Sequence, residues 1–104
     1  MTKIDKAKEF FLENFYVKFE KNIEKISYLA IAVNEEAGEV AGEVKKCIRD
    51  DNGIFGEDRT EKITTEMGDL LYYLIVLADH FNMTIEEIIE KQYIKVANLK
   101  KNRQ

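Results

Sequence analysis

The 104-residue sequence contains no proline and no tryptophan, and glycine occurs only five times. The commonest interruptions of a helix are therefore scarce, and the many Glu, Lys, Ile, Leu and Ala residues favour helical structure. A single cysteine, Cys47, cannot close an internal disulfide, and a single histidine, His80, leaves no Cys/His cluster for zinc. A reducing cytoplasm is the compartment this implies. No apolar run approaches the ~20 residues that span a bilayer, so no membrane segment is expected. Charge begins at Lys3, which does not suit a signal peptide. The formal net charge of −4 argues against a nucleic-acid polymer as the main ligand. The one basic stretch, Lys95, Lys100, Lys101 and Arg103, reads as a solvated helix end whose cations suit the C-terminal dipole.

Hydrophobic residues make up 45% of the chain and charged residues 35%, a balance that suits a globular domain rather than a disordered one. The length suits one domain, residues 1–104, with a single core. Periodicity predicts four helices. The first runs from about Lys3 to Phe19, with Ile4, Ala7, Phe11 and Phe15 at helical spacing, although Tyr16, Val17 and Phe19 blur its end. The second, about Glu24 to Arg49, repeats Ile26, Leu29, Val33, Ala37, Val40, Val44 and Ile48. Turn formers follow, from Asp50-Asp51-Asn52-Gly53 to Gly56. The third helix is expected to open on a capping box of Asp58 and Glu61, and it carries Ile63, Met67, Leu70, Leu74, Leu77 and Phe81. A second box, Thr84 and Glu87, precedes Ile85, Ile88, Ile89, Val96 and Leu99. No strand pattern competes, so the expected fold is all-α, a four-helix bundle-like protomer. Phe10, Phe11, Phe15, Tyr16 and Phe19 are more aromatic surface than a short helix usually buries within one chain. A homo-oligomer with this helix partly at the interface is therefore expected.

The chemistry-bearing feature is acidic. Measured from Val33 at ~100° per residue, Glu36 lies ~60° to one side of the apolar stripe and Glu39 ~60° beyond it. Measured from Ile63, Glu66 and Asp69 fall at the same two angles. The local strings match as well, Glu36-Ala37-Gly38-Glu39-Val40 against Glu66-Met67-Gly68-Asp69-Leu70. Antiparallel packing through the stripes would bring both pairs to one seam. Like charges at i,i+4, as in Glu35/Glu39 and Glu39/Glu43, each cost roughly 0.2–0.5 kcal/mol in an isolated helix. Relief is in reach only at the margins, from Lys46 for Glu43 and from Lys62 for Glu66. A hard divalent cation would relieve the repulsion, and Mg²⁺ prefers such oxygen ligands while leaving positions for phosphate oxygens. The bland alternative is a solvated acidic face. Gly38, Gly42 and Gly68 each cost roughly 1 kcal/mol relative to alanine in a helix, which fits either close helix approach or room for a metal or phosphate.

Glu35-Glu36-x-x-Glu39 followed by Glu66-x-x-Asp69 resembles the signature of the all-α nucleoside triphosphate pyrophosphohydrolases, most closely their MazG-like branch. The likeness extends to Lys45-Lys46 and to Glu66-Met67-Gly68-Asp69-Leu70-Leu71-Tyr72-Tyr73-Leu74, and covers about Leu29 to Lys95. The resemblance implies a homodimer or homotetramer that depends on Mg²⁺ or Mn²⁺ and cleaves an NTP or dNTP to the monophosphate and pyrophosphate. It implies Glu36, Glu39, Glu66 and Asp69 as metal ligands, with Glu36 or Glu39 activating water and Glu35 as a supporting, water-orienting group. An Asn-x-x-Lys near the family's site corresponds here to Gln92 and Lys95, with Asn98 and Lys101 as a fallback pair. Gln92 also falls within the fourth helix's apolar stripe, where an amide needs a hydrogen-bond partner. Lys45, Lys46 and Lys95 are candidates for phosphate charge, and Tyr72, Tyr73 and the N-terminal phenylalanines for stacking on a base. The segment from Asp51 to Glu57 is a connector that could also serve as a lid.

Other chemistries fit less well. A di-iron bundle needs Glu-x-x-His pairs, but Leu77 precedes His80 at that spacing. An EF-hand fails because either register around Asp50 or Asp51 puts Phe55 or Lys62 at a required position. Phosphoribosyl-ATP or dUTP pyrophosphohydrolase chemistry within the same fold, and a catalytically silent helical dimer acting as a regulatory or scaffolding partner, remain alternatives.

Overall fold

The computed structural model describes residues 1–103, arranged as four helices: α1 (Lys3–Glu13), α2 (Asn22–Asp50), α3 (Glu57–His80) and α4 (Ile85–Asn102). Among the described residues there is no strand. The all-α expectation holds. α2 and α3 form a long hairpin that makes the principal contact of the fold, while α1 and α4 each lean on α3. An ion pair between Lys8 and Glu86 also ties α1 to α4.

The α2–α3 connection is built by its turn residues. Asn52 and Gly53 take φ of 56° and 72°, the left-handed region that Asn and Gly enter most readily. The Cys47 carbonyl accepts hydrogen bonds from the N–H groups of Asp51 (2.9 Å) and Gly53 (3.1 Å), which closes the end of α2. α3 ends similarly. Asn82 takes φ of 57°, and the Met83 N–H reaches back to the Ala78 carbonyl at 3.0 Å.

Two expectations about helix ends are corrected. α1 stops at Glu13 rather than near Phe19, because the Asn14 side chain and backbone N–H both donate to the Phe10 carbonyl, at 2.9 and 3.0 Å. The extended segment after it carries Phe15 into the core. α3 begins on Gly56 without a side-chain cap, so Asp58 and Glu61 form no capping box. Glu57 and Asp58 instead place negative charge in the helix's first turn, where the dipole favours it. A capping box does form at Thr84 and Glu87, and another at Thr2 and Asp5.

Leu29 and Cys47 are fully buried, and Phe15 and Val76 complete the apolar centre together with Leu29. On α2 the stripe turns from Val44 to Cys47, leaving Ile48 exposed. A helix of 3.6 residues per turn drifts relative to a strict seven-residue repeat. On α3 the most buried residues are Ile75, Val76 and Ala78, between the expected stripe positions. This is the helix against which the other three pack, so more than one of its faces is covered. α4 has no buried residue, and Ile89, Tyr93, Ile94 and Val96 are all more than half exposed.

Candidate metal centre

The central stretches of α2 and α3 bring together acids that lie far apart in sequence. Glu36, Glu66 and Asp69 each offer a carboxylate oxygen, and the three oxygens lie within 4.8 Å of one another. Two oxygens that share one Mg²⁺ at ~2.1 Å lie at most ~4.2 Å apart, so this set would have to close further to hold one ion together. The donors are all carboxylates, with no thiolate or imidazole among them. That donor chemistry suits a hard cation such as Mg²⁺ or Mn²⁺.

The electrostatics show what a positive charge at this place would do. Partial burial, followed by the negative charges of Asp69, Glu66, Glu35 and Glu39, raises the Glu36 carboxyl above its ordinary value. Glu66 is raised by burial first, and then by Asp69, Glu39 and Glu43. Both groups sit where ionisation is resisted by the protein itself, and a cation reverses that resistance.

Glu39 acts on both raised carboxyls but lies outside the tight trio, and it is exposed on α2. Glu35 is also exposed, and its charge reaches Glu36 and the Tyr28 hydroxyl. Of the lysines singled out from the sequence, Lys45 is exposed, and Lys46 pairs with Glu43 at 3.4 Å. Lys62 forms no ion pair with Glu66; it lines an open groove of about 520 Å³ with Glu43, Asp58, Glu61, Thr65 and Glu66. No residue of α4 lines that groove.

Gln92 and Lys95 are exposed on α4. Gln92 lines a separate, mostly apolar groove with Ile89, Tyr93 and Val96. The expectation that its amide needs a protein partner is corrected, because the face that looked like a core stripe is open to solvent within one protomer. The glycines are clarified too. A Cβ built on Gly38, Gly42 or Gly68 would meet nothing within 4 Å, so close approach of neighbouring helices within the protomer does not explain them.

Beside the acids stands an aromatic wall. Phe11 meets Tyr72 edge-on at 5.1 Å, and Tyr72 meets Tyr73 at 5.2 Å. Phe15 contacts both tyrosines, and Phe19 lies 5.3 Å from Tyr28. Burial, and then the neighbouring Tyr28 and Tyr16 hydroxyls and the Glu36 charge, pushes the Tyr73 hydroxyl up to about 12. Tyr73 therefore belongs to the packed aromatic cluster and also feels the acidic centre.

Arg59 carries a role that helical periodicity does not reveal. From the first turn of α3 its guanidinium donates to Glu43 at 2.7 Å and to Asp51 at 2.9 Å. The available signal was a lone cation within an acidic stretch, Glu57-Asp58-Arg59-Thr60-Glu61, two turns ahead of Glu66.

Comparison with known proteins places the chain in a family. Residues 18–104 match the MazG nucleotide pyrophosphohydrolase domain, and the chain belongs to that family. It is 29% identical over 79 residues to the Gene 37 protein of Mycobacterium phage L5, a similarity covering 76% of this chain and 69% of that protein. No solved structure matches the chain. Among the described residues, no helix is long and apolar enough to cross a membrane.

Proposed function

We propose that residues 1–104 act as one unit that hydrolyses a nucleoside triphosphate, NTP or dNTP, to the monophosphate and pyrophosphate in a Mg²⁺-dependent reaction. The observation that carries this reading is the convergence of Glu36, Glu66 and Asp69 from two helices, in a chain of the MazG family. Glu39 joins these three as a fourth ligand or as the group that receives a proton. Mn²⁺ is expected to replace Mg²⁺.

When bound, the cation offsets phosphate charge and makes a bound water more acidic. The chain's own residues supply the rest. Glu39 or Glu36 takes the proton of the attacking water, and Glu35 helps orient it. The water oxygen forms a bond to the α-phosphorus as the bond from that phosphorus to the α–β bridging oxygen breaks. The leaving pyrophosphate carries away the electron pair. Lys45, Lys46 and Lys95 are the candidate partners for its charge, with Gln92 a candidate for a polar contact to the substrate. Tyr73, at the boundary between acids and aromatic wall, is the candidate contact for the base.

The exposed apolar side of α4, with Phe10 and Tyr16 still exposed at the N-terminal segment, supports a homodimer or homotetramer in which a second copy covers these surfaces. Assembly would also bring Gln92 and Lys95 into a different setting from the one they have in a lone protomer. The role that follows is housecleaning or control of nucleotide pools.

The test is product identification. The protein is incubated with Mg²⁺ and a panel of standard and modified NTPs and dNTPs. Monophosphate with pyrophosphate supports the reading; diphosphate with phosphate rejects the bond assignment, and no turnover across the panel rejects the activity.

A further inference from the structure

α2 carries a longer acidic row than the three-oxygen centre uses. Glu43 follows Glu36 by seven residues, which at ~100° each returns to nearly the same side of the helix, ~10 Å further along its axis. Glu43 and Glu66 line the same groove, and the Glu43 charge bears on Glu66. Left alone, Glu43 would extend the anionic surface by a further turn toward the α2–α3 loop.

It is not left alone. Arg59 donates from Nη1 to Glu43 at 2.7 Å and from Nε to Asp51 at 2.9 Å. The Arg59 and Glu43 side chains are each only 13% exposed, so the pair is shielded from the solvent that weakens most surface ion pairs. Lys46 adds a second, longer contact to the other Glu43 oxygen at 3.4 Å. Both Glu43 oxygens are thereby engaged by cations of the chain itself.

We propose that Arg59 is a positioning residue that delimits the metal centre: by engaging Glu43 it withholds that carboxylate from the cation and ends the ligand row at Glu39. The inference rests on the reading of Glu36, Glu66 and Asp69 as a metal site. A carboxylate released beside Glu66 would add a negative charge, bind the cation more tightly, and take up a position that a phosphate oxygen needs.

The experiment is a titration of the metal-free protein with Mn²⁺ alone, followed by electron paramagnetic resonance. It is run near 0.15 M salt, where exposed charges more than ~8 Å apart are largely screened. Arg59→Gln is expected to tighten Mn²⁺ binding at least about threefold, the order that one partly shielded charge pair contributes. Glu43→Gln alone should leave Mn²⁺ affinity within about twofold of wild type, and the double variant should return to that range. A purely structural bridge predicts the opposite for Arg59→Gln, weaker binding through a loosened hairpin. Unchanged or weaker binding by Arg59→Gln overturns the proposal, as does a double variant that stays tight. If Arg59→Gln does not fold, Glu43→Gln decides: unchanged affinity supports the proposal, and weakening beyond about threefold makes Glu43 itself a ligand and overturns it. A wild-type protein that binds no Mn²⁺ removes the metal site and this role with it, whereas normal wild-type binding with an unaltered Arg59→Gln removes only the role of Arg59.

Discussion

Glu36 on α2 and Asp69 on α3 hold carboxylate oxygens within 4.8 Å of each other, and after burial the Asp69 charge is the strongest influence raising the Glu36 carboxyl. Two acids from different helices are thus held together by the packing of Leu29, Val76 and their neighbours, against their own repulsion. The site is made by the hairpin, and the repulsion within it is a cost that the fold itself bears.

Removing single acids should separate ligands from bystanders. Glu36→Gln and Asp69→Asn are each expected to lower turnover at least ~100-fold, the order seen when a charge-stabilising group is lost. They should also abolish the rise in melting temperature that saturating Mg²⁺ or Mn²⁺ gives the wild type, a rise worth about 2.7 kcal/mol at one hundred times Kd. Glu39→Gln, outside the tight trio, is expected to lose turnover to the same extent but to keep part of the metal-dependent rise. A wild-type melting curve indifferent to both metals favours a catalytically silent scaffold.

The acidic centre also gives stability an inverted pH dependence. Glu66 binds its proton more tightly folded than unfolded, so its contribution is fully favourable below the unfolded value and is lost as pH rises through the folded one. In EDTA at pH 7.5, Glu66→Gln should therefore melt above wild type. Near pH 4, with Glu66 largely protonated in both states, that advantage should vanish. Calorimetry at the two pH values checks it, and an equal or lower melting point at pH 7.5 contradicts it. Glu43 and Glu86, held below the ordinary value by Arg59 and Lys8, contribute in the opposite sense, so the comparison is between variants rather than of one pH profile.

Assembly can be tested without touching the acids. Ile94 is half exposed on α4, so Ile94→Asp costs a lone protomer little but buries a charge if a second copy covers that face. Sedimentation at micromolar concentration should show an oligomer for the wild type and a monomer for the variant. A monomeric wild type removes the oligomer reading.

The core prediction is conventional in size. Leu29 is fully buried at the meeting of α2 with the aromatic wall, and Leu29→Ala should cost about 2–5 kcal/mol. Urea denaturation should show a lower midpoint with an unchanged slope; a loss below 1 kcal/mol would mean that this centre repacks freely.

The acidic centre was legible in the sequence because it depends on little besides helical geometry. The matched placement of Glu36/Glu39 and Glu66/Asp69 follows from ~100° per residue, and the short loop at Asn52-Gly53 makes the two helices antiparallel neighbours. Features decided by tertiary contact were less legible. Phe19 looked helical, but the amide of Asn14 ends α1 and Phe15 enters the core from extended chain. Ile48 continued the stripe on paper, yet Cys47 fills the space, with its thiol donating to the Ile54 carbonyl at 3.4 Å. The bridge from Arg59 to Glu43 joins positions sixteen apart, and no helical repeat announces such a pair. On α4, periodicity marked an apolar face correctly but could not say whether this chain or another covers it.

α1 and α4 both lean on α3, whereas Glu36, Glu39, Glu66 and Asp69 all belong to the α2–α3 hairpin. That division separates two design problems. The hairpin is constrained by charge, because a change there alters what the acids can hold. The outer helices are constrained by shape, because they set which surfaces remain open and which neighbours fit against them. Transplanting α1 or α4 from a relative therefore changes the surfaces around the acids while the acid-bearing hairpin stays unaltered.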